Sequence, residues 1–168
     1  MRENGSGEIS FRSIKPQDMA FLEKWYSMTD ELGYATGFKS FAEAKERILS
    51  YPMVSMIIAL PGGMAAGFVC CELRKLDRNK VGWIHIIMVD PAYQNRGIGT
   101  MAVRKLLECF QSRGCSAVMV SVSEQNTRGL RFWESLGFTR SRDMENVLDA
   151  SGTSGVAIMK INLAGGQV

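Results

Sequence analysis

The most constraining feature of this sequence is the immediate succession of an apolar strand, a glycine-containing turn, an amphipathic helix and a second apolar strand. Residues 81–89 are almost wholly apolar, which predicts a strand covered on both faces of a sheet. From Gly99 to Phe110, apolar residues recur at i, i+3 and i+4, which predicts one helix face packed on that sheet. Residues 117–122 form the second apolar run. This order predicts a right-handed parallel β-α-β crossover.

The chain before this crossover predicts an antiparallel arrangement. Residues 8–14 alternate polar and apolar, which is the period of a half-buried strand, and two helical stretches follow. Ser40 is the predicted N-cap of the second of these helices and opens a capping box. The apolar runs 53–60 and 64–76 flank a Pro-Gly-Gly turn and predict a hairpin, which residues 81–89 extend into a three-strand meander.

After the crossover, Asn126 is predicted to cap a short helix that ends near Leu136. The chain from Phe138 onward and residues 156–163 predict two final strands. We expect these strands to form a hairpin across the segment 150–155, which contains glycine and serine.

Together the elements predict a mixed α/β (α+β) fold in a single domain over residues 1–168. The expected sheet is mixed and has six to seven strands with about four helices, an antiparallel first half and a central parallel β-α-β crossover. The length of 168 residues agrees, because domains usually contain about 100–200 residues.

Charge and composition exclude several classes of protein. The chain has 20 Lys and Arg against 17 Asp and Glu, a net charge of +3, which is too mild a basic excess for a typical nucleic-acid partner. No apolar run approaches the roughly 18 residues that span a membrane. The polar N-terminus has no signal-peptide core, so a cytoplasmic location is expected. With one histidine and no C-x-x-C pair, we expect no metal.

The turn between the first strand and the helix carries the most chemical information. Glycines at the N-terminus of a helix leave successive backbone N–H groups open to an anion. Gly97 and Gly99 therefore indicate a site for a phosphate-bearing ligand, and Arg96 adds positive charge. Two alternatives exist: the glycines only permit a tight turn, or the pattern G-x-G-x-x-A marks a dinucleotide-binding domain. The second lacks an acidic residue at the end of the next strand.

Two motifs make the chain resemble the GNAT superfamily of acetyl-CoA-dependent N-acetyltransferases. The run Gln94-Asn95-Arg96-Gly97-Ile98-Gly99 matches the pattern Q/R-x-x-G-x-G/A. Downstream, an asparagine, aromatic residues and Leu136-Gly137-Phe138 are similar to the second motif of the family. The resemblance implies a GNAT-like fold in which the strand ending at Val89 splays from the following strand to admit the cofactor.

The resemblance also implies acetyl-CoA or coenzyme A as cofactor. The turn amides would hold the pyrophosphate, the end of the strand would pair with the pantetheine arm, and Asn126 would bond the cofactor from the second helix. Arg128 and Arg131 follow on that helix. Either they contact a phosphate of the cofactor or they lie on the solvated surface. The implied cofactor-binding residues are Met88, Val89, Gln94, Asn95, Arg96, Gly97, Ile98, Gly99, Thr100, Asn126 and Trp133.

For the reaction, the resemblance implies that a primary amine attacks the thioester directly, so a base must take a proton. His85, the single histidine, lies in the strand where some family members carry a glutamate base, and imidazole titrates near neutrality. A satisfied strand histidine is the alternative. Trp133 stands where the family often places a tyrosine that acts as general acid. Indole donates hydrogen bonds but has no usable pKa, so Trp133 cannot take this role. The acid is then Tyr93, water or no group at all.

The acceptor is a small-molecule or peptide amine that the sequence does not identify. Glu31 and Tyr34 fall in the loop where the family usually builds the acceptor site. An ordinary solvated loop would also contain such polar residues. Neither a nucleic-acid partner nor a membrane is expected, and the resemblance leaves both a monomer and a homodimer open. A non-catalytic acyl-CoA-binding or sensor domain is the main alternative function, and a dinucleotide-binding domain is the next.

Overall fold

A computed structural model describes residues 7–28, 40–152 and 155–163 of the chain. The described residues contain seven strands: β1 (Ser10–Ser13), β2 (Val54–Ala59), β3 (Ala65–Leu76), β4 (Asn79–Val89), β5 (Ala117–Ser123), β6 (Thr139–Arg140) and β7 (Val156–Asn162). They also contain five α-helices: α1 (Met19–Ser27), α2 (Phe41–Leu49), α3 (Ile98–Ser112), α4 (Thr127–Ser135) and α5 (Arg142–Ala150).

All seven strands belong to one mixed sheet in the order β1-β2-β3-β4-β5-β7-β6. Strands β1 to β4 are antiparallel neighbours, whereas β4 and β5 run parallel and are connected through α3. The predicted fold class, with its antiparallel first half and central β-α-β crossover, is confirmed. Within the described residues the helices number five rather than about four.

Helices cover both faces of this sheet. Helices α1 and α2 bury Leu22, Trp25 and Phe41 with side chains of β2, β3 and β4 on one face. Helices α3 and α4 bury Leu106 and Trp133 with β4 and β5 on the other. Because the central strands are covered on both sides, they contain the continuous apolar runs that the sequence shows. Among the described residues, no helix combines the length and apolar character needed to cross a membrane.

The prediction for the C-terminal segment is wrong in one respect. Strand β6 has only two residues and pairs antiparallel with β7, but the connection between them contains helix α5 rather than a simple hairpin loop. Met144 and Leu148, one turn apart, pack with Trp83 and Ile158 on the sheet. Glu145 accepts a hydrogen bond from the Ile158 amide at 3.2 Å. These contacts with β7 stabilise a helix whose isolated sequence is short and largely polar.

A buried carboxylate fixes the end of β4 against α1. Asp90 is 7% exposed and accepts hydrogen bonds from the Trp25 indole N–H at 2.8 Å and the Ala92 amide at 2.9 Å. Burial by itself raises the pKa of Asp90, but these bonds and the nearby Lys24 ammonium hold that pKa below its ordinary value. The carboxylate is therefore charged at neutral pH, and it joins α1 to the turn that follows β4.

Two tryptophans provide a matched test of this contact. Trp25→Phe removes the indole donor from Asp90, whereas Trp83→Phe removes an indole N–H that has no partner among the described residues. We expect the first variant to lower the free energy of unfolding by about 1–3 kcal/mol more than the second, because a hydrogen bond to a charged group is lost. Urea denaturation measures both values, and equal losses would show that the Trp25–Asp90 bond contributes nothing.

Candidate functional site

The two central parallel strands separate part-way along their length. Strands β4 and β5 are paired from Val81 and Ala117 as far as Ile84 and Val120. Beyond these residues β4 continues to Val89 alongside β3, and β5 continues to Ser123 alongside β7, without pairing to each other. The separation leaves backbone groups on both strands without a sheet partner, and such groups need hydrogen bonds from elsewhere.

The turn at the end of β4 presents a helix N-terminus to this opening. Gly97 is the N-cap of α3 with φ of +76°, a left-handed conformation that favours glycine. A side chain at Gly97 would meet no described atom within 4 Å, so the backbone beside it is open. Gly99 lies in the first turn of this 15-residue helix. Open amides at the positive end of a long helix form an environment that favours an anion.

Helix α4 forms the opposite wall. The Asn126 side chain caps this helix by accepting a hydrogen bond from the Gly129 amide at 2.8 Å. Two residues later, the Arg128 guanidinium donates to the Gln94 side-chain oxygen at 2.8 Å. Gln94 in turn donates to the Val89 carbonyl at 2.9 Å. This chain of bonds connects α4, the turn and the last residue of β4 across the opening.

The opening is a cavity of about 520 Å³. Most of the residues implied as cofactor-binding by the resemblance line it: Met88, Val89, Gln94, Asn95, Gly97, Ile98, Gly99, Thr100, Asn126 and Trp133. Arg96 does not line it, and its guanidinium lies 5.6 Å from the centre of the Tyr93 ring. Arg128 does line the cavity, and Arg131 does not.

His85 also lines this cavity and is held by a carboxylate. A β-bulge in the β3–β4 pairing leaves His85 as an extra residue, because Cys70 pairs with Ile86 and Cys71 with Ile84. The ring atom Nε2 lies 2.7 Å from Oε1 of Glu72. Burial lowers the pKa of His85 below its ordinary value, and the contact with Glu72 opposes this shift without cancelling it. The ring is therefore mainly neutral at pH 7.

The other predicted catalytic and acceptor residues have different surroundings. Tyr93 lines the cavity, and its hydroxyl donates to the Met64 sulfur at 3.4 Å. Trp133 is 6% exposed and packs edge-on against Phe138, with ring centres 4.9 Å apart, so most of its surface belongs to the core. Glu31 and Tyr34, the predicted acceptor residues, lie outside the described residues.

Sequence reasoning missed several residues of this site. Ser121, Ser123 and Gln125 line the cavity from the end of β5 and the loop after it. For Glu72, the sequence pattern predicts only a place in the strand 64–76. The signal was present, because Glu72 follows Phe68 and Cys70 at a spacing of two and therefore shares their buried face. A carboxylate on a buried face needs a partner, which is an indication of a functional or structural contact.

Comparison with known proteins identifies the class to which this fold and cavity belong. The acetyltransferase (GNAT) family matches residues 19–138, and the chain belongs to that family. The chain is also similar in fold to the spermidine N-acetyltransferase of Vibrio cholerae, solved in complex with CoA and spermine. That similarity has a TM-score of 0.67 at 16% sequence identity and covers 92% of this chain and 95% of the other.

Two curated relatives match the central part of the chain. An uncharacterized N-acetyltransferase of Methanocaldococcus jannaschii is 35% identical over 79 residues, which is 45% of this chain and 35% of that protein. A mycothiol acetyltransferase of Thermomonospora curvata is 39% identical over 85 residues, which is 51% of this chain and 28% of that protein. These matches thus span about a third of the length of the relatives.

The cap of α4 gives a prediction that needs no ligand. Asn126→Ala removes the acceptor for the Gly129 amide and should lower the free energy of unfolding by about 1 kcal/mol. Asn126→Asp keeps an oxygen acceptor and should lose only a few tenths of that value. Chemical denaturation measures both, and a loss in the aspartate variant as large as in the alanine variant would contradict the capping role.

Proposed function

We propose that the protein is an N-acetyltransferase that transfers an acetyl group from acetyl-CoA to a primary amine by direct attack of the amine on the thioester. The observation that carries this proposal is the cavity between β4 and β5, which joins a helix N-terminus at one end to a half-buried histidine in its wall. A phosphate-bearing thioester needs an anion site and space for an extended arm beside it, and this cavity fits both requirements.

The residues of the cavity fit coenzyme A by their chemistry. Open amides from Gly97 to Thr100 at the start of α3 suit a pyrophosphate. Arg128 adds a guanidinium from the opposite wall, and guanidinium groups bind phosphate through charge-assisted hydrogen bonds. The unpaired edge of β4 at Met88 and Val89 suits the amides of a pantetheine arm. Acetyl-CoA supplies the activated acetyl group when bound.

In this proposal His85 is the base. An ammonium ion has no lone pair, so the acceptor attacks the carbonyl carbon as the free amine, and its nitrogen must lose one further proton as the amide forms. Lowering of the pKa by burial keeps His85 neutral at pH 7, the form that accepts a proton. The new C–N bond forms as the C–S bond breaks, and the electron pair of that bond leaves on sulfur.

The leaving thiolate then needs one proton. The Trp133 indole cannot supply it, since indole is not an acid in this range. The Tyr93 hydroxyl donates to the Met64 sulfur, which does not favour a role as proton donor. We therefore infer that water, reached through the open cavity, protonates the thiolate.

Several amine acceptors are compatible with this site. The relatives are named for mycothiol and for spermidine, which are chemically different. Purified protein with acetyl-CoA and a panel of polyamines, amino acids, aminoglycosides and peptides tests the proposal through release of free thiol. Thiol release with at least one amine class supports acetyl transfer. Tight binding of CoA without turnover of any amine would favour the non-catalytic acyl-CoA-binding domain instead.

Two arginines on α4 test the assignment of the cavity to CoA. Arg128→Ala should raise the Kd for CoA about tenfold, since one charge-assisted contact is worth about 1.4 kcal/mol or more. Arg131→Ala removes the same charge from the same helix but from a side chain outside the cavity, and should change the Kd less than about twofold. Calorimetry measures both values, and equal effects would exclude a specific contact by Arg128.

The role of His85 has a separate prediction. His85→Ala should lower kcat by about 10²- to 10⁴-fold, the usual contribution of a general base. The Kd for acetyl-CoA should stay within about twofold of the wild-type value, because the phosphate-binding turn is elsewhere. In the wild type, kcat should rise as pH increases through the lowered pKa of His85, since only the neutral ring accepts a proton. Full activity of the variant across pH would remove His85 from the mechanism.

A further inference from the structure

The carboxylate that contacts His85 has no role in the mechanism described so far. Glu72 is 4% exposed and lies in β3 directly opposite Trp83 of β4. Its Oε1 atom lies 2.7 Å from His85 Nε2 and also accepts a hydrogen bond from Arg74 Nε at 2.6 Å. A buried carboxylate is costly unless it is paired, and the Arg74 guanidinium supplies this pairing to Glu72.

The charge on Glu72 determines which nitrogen of the His85 ring holds the proton. An ionised carboxylate can only accept hydrogen bonds, so Nε2 must be the donor in this contact. A neutral imidazole has one N–H group and one lone pair. With the proton on Nε2, the lone pair is on Nδ1, which has no hydrogen-bond partner among the described residues. Because His85 lines the cavity, this lone pair is available to accept a hydrogen bond or a proton from a ligand there.

Two further contacts and a β-bulge restrict the orientation of the pair. The His85 and Trp83 rings stack with centres 6.2 Å apart and planes at 22°. Arg74 lies over the Trp83 ring at 4.7 Å while it bonds Glu72. The bulge at His85 breaks the β3–β4 register at this residue alone within the β3–β4 pairing. Bulges at such positions commonly redirect a side chain beside a functional site.

We propose that Glu72 is a positioning residue: it holds His85 as the tautomer protonated on Nε2 and directs the basic Nδ1 towards the acceptor amine. This inference rests on the proposed function, because that function supplies the acceptor amine from which Nδ1 takes a proton. One proton passes from the attacking nitrogen to Nδ1 as the C–N bond forms, giving an imidazolium that Glu72 stabilises. The imidazolium then returns the proton to solvent, and the ring regains its starting form.

The charges that face His85 set the direction of the expected effect. Burial lowers its pKa most strongly, Glu72 raises it, and Arg74 of β3 and Arg47 of α2 lower it. Removal of the negative charge at Glu72 therefore leaves only groups that oppose protonation. The pKa of His85 should fall by about one pH unit, the usual effect of a single neighbouring opposite charge.

The composition of the chain allows a direct measurement. His85 is the single histidine among 168 residues, so the imidazole nitrogens of a uniformly ¹⁵N-labelled protein with a histidine-free affinity tag give one set of signals. A long-range ¹H–¹⁵N correlation spectrum distinguishes a protonated from an unprotonated ring nitrogen, and a pH titration gives the pKa. This readout needs neither acetyl-CoA nor an acceptor.

The variants are Glu72→Gln, Glu72→Ala and the control Glu108→Gln, which removes the same charge from an exposed position on α3. Wild type should show a protonated Nε2 and a bare Nδ1. Glu72→Gln, which keeps an oxygen acceptor without charge, should lower the His85 pKa by about one unit and move the acid limb of kcat equally. Glu72→Ala should lose about tenfold or more in kcat at its optimum, with part of that loss rescued in the glutamine variant. Glu108→Gln should change neither.

The outcomes distinguish a failure of this inference from a failure of the proposed function. A bare Nε2 in the wild type, or an unchanged pKa in Glu72→Gln, would overturn the role of Glu72 while leaving His85 and acetyl transfer intact. A shifted pKa without a matching shift of the acid limb would overturn His85 as the base and, with it, the positioning role. An unchanged Kd for acetyl-CoA and intact backbone spectra in each variant establish that the cavity is still folded.

Discussion

The separation of β4 from β5 beyond Ile84 and Val120 is the constraint on which the rest of the structure depends. Two parallel strands in the middle of a sheet would normally pair along their full length, since unpaired buried backbone groups are costly. The sheet tolerates the gap because each strand keeps its other neighbour: β3 holds β4, and β7 holds β5. The result is a cavity lined by backbone groups in the centre of an otherwise continuous sheet.

Around this cavity, structural and functional contacts coincide. The Asp90 carboxylate joins the end of β4 to α1, and Gln94 joins it to α4 through Arg128. His85, which contacts Glu72 of β3, lies earlier in β4, where β4 and β5 begin to separate. In the proposed function, the anion-binding turn directly follows β4 and the base His85 lies within β4, so strand geometry largely sets the distance between them. Such fixed geometry is what transfer between two bound reactants needs.

Local chemistry explains what the sequence could predict. The open turn at Gly97 and the cap at Asn126 depend on residues adjacent in the chain, so their patterns are readable. The Glu72–His85 contact joins residues 13 apart through strand register and a one-residue bulge, and neither can be read from periodicity. The position of the Arg96 side chain over Tyr93, outside the cavity lining, likewise depends on a side-chain conformation that no sequence pattern fixes. The sequence does not predict helix α5, because this short and largely polar segment is stabilised by distant contacts with β4 and β7.

The central claim is that the opening between β4 and β5 binds the acetyl donor of this GNAT-family chain. Calorimetric titration of acetyl-CoA into the purified protein, without any amine, tests it most directly. The account predicts saturable binding at one site per chain, while NAD under the same conditions gives no heat beyond dilution. Absence of binding by both acetyl-CoA and CoA, or binding of NAD instead, would contradict it.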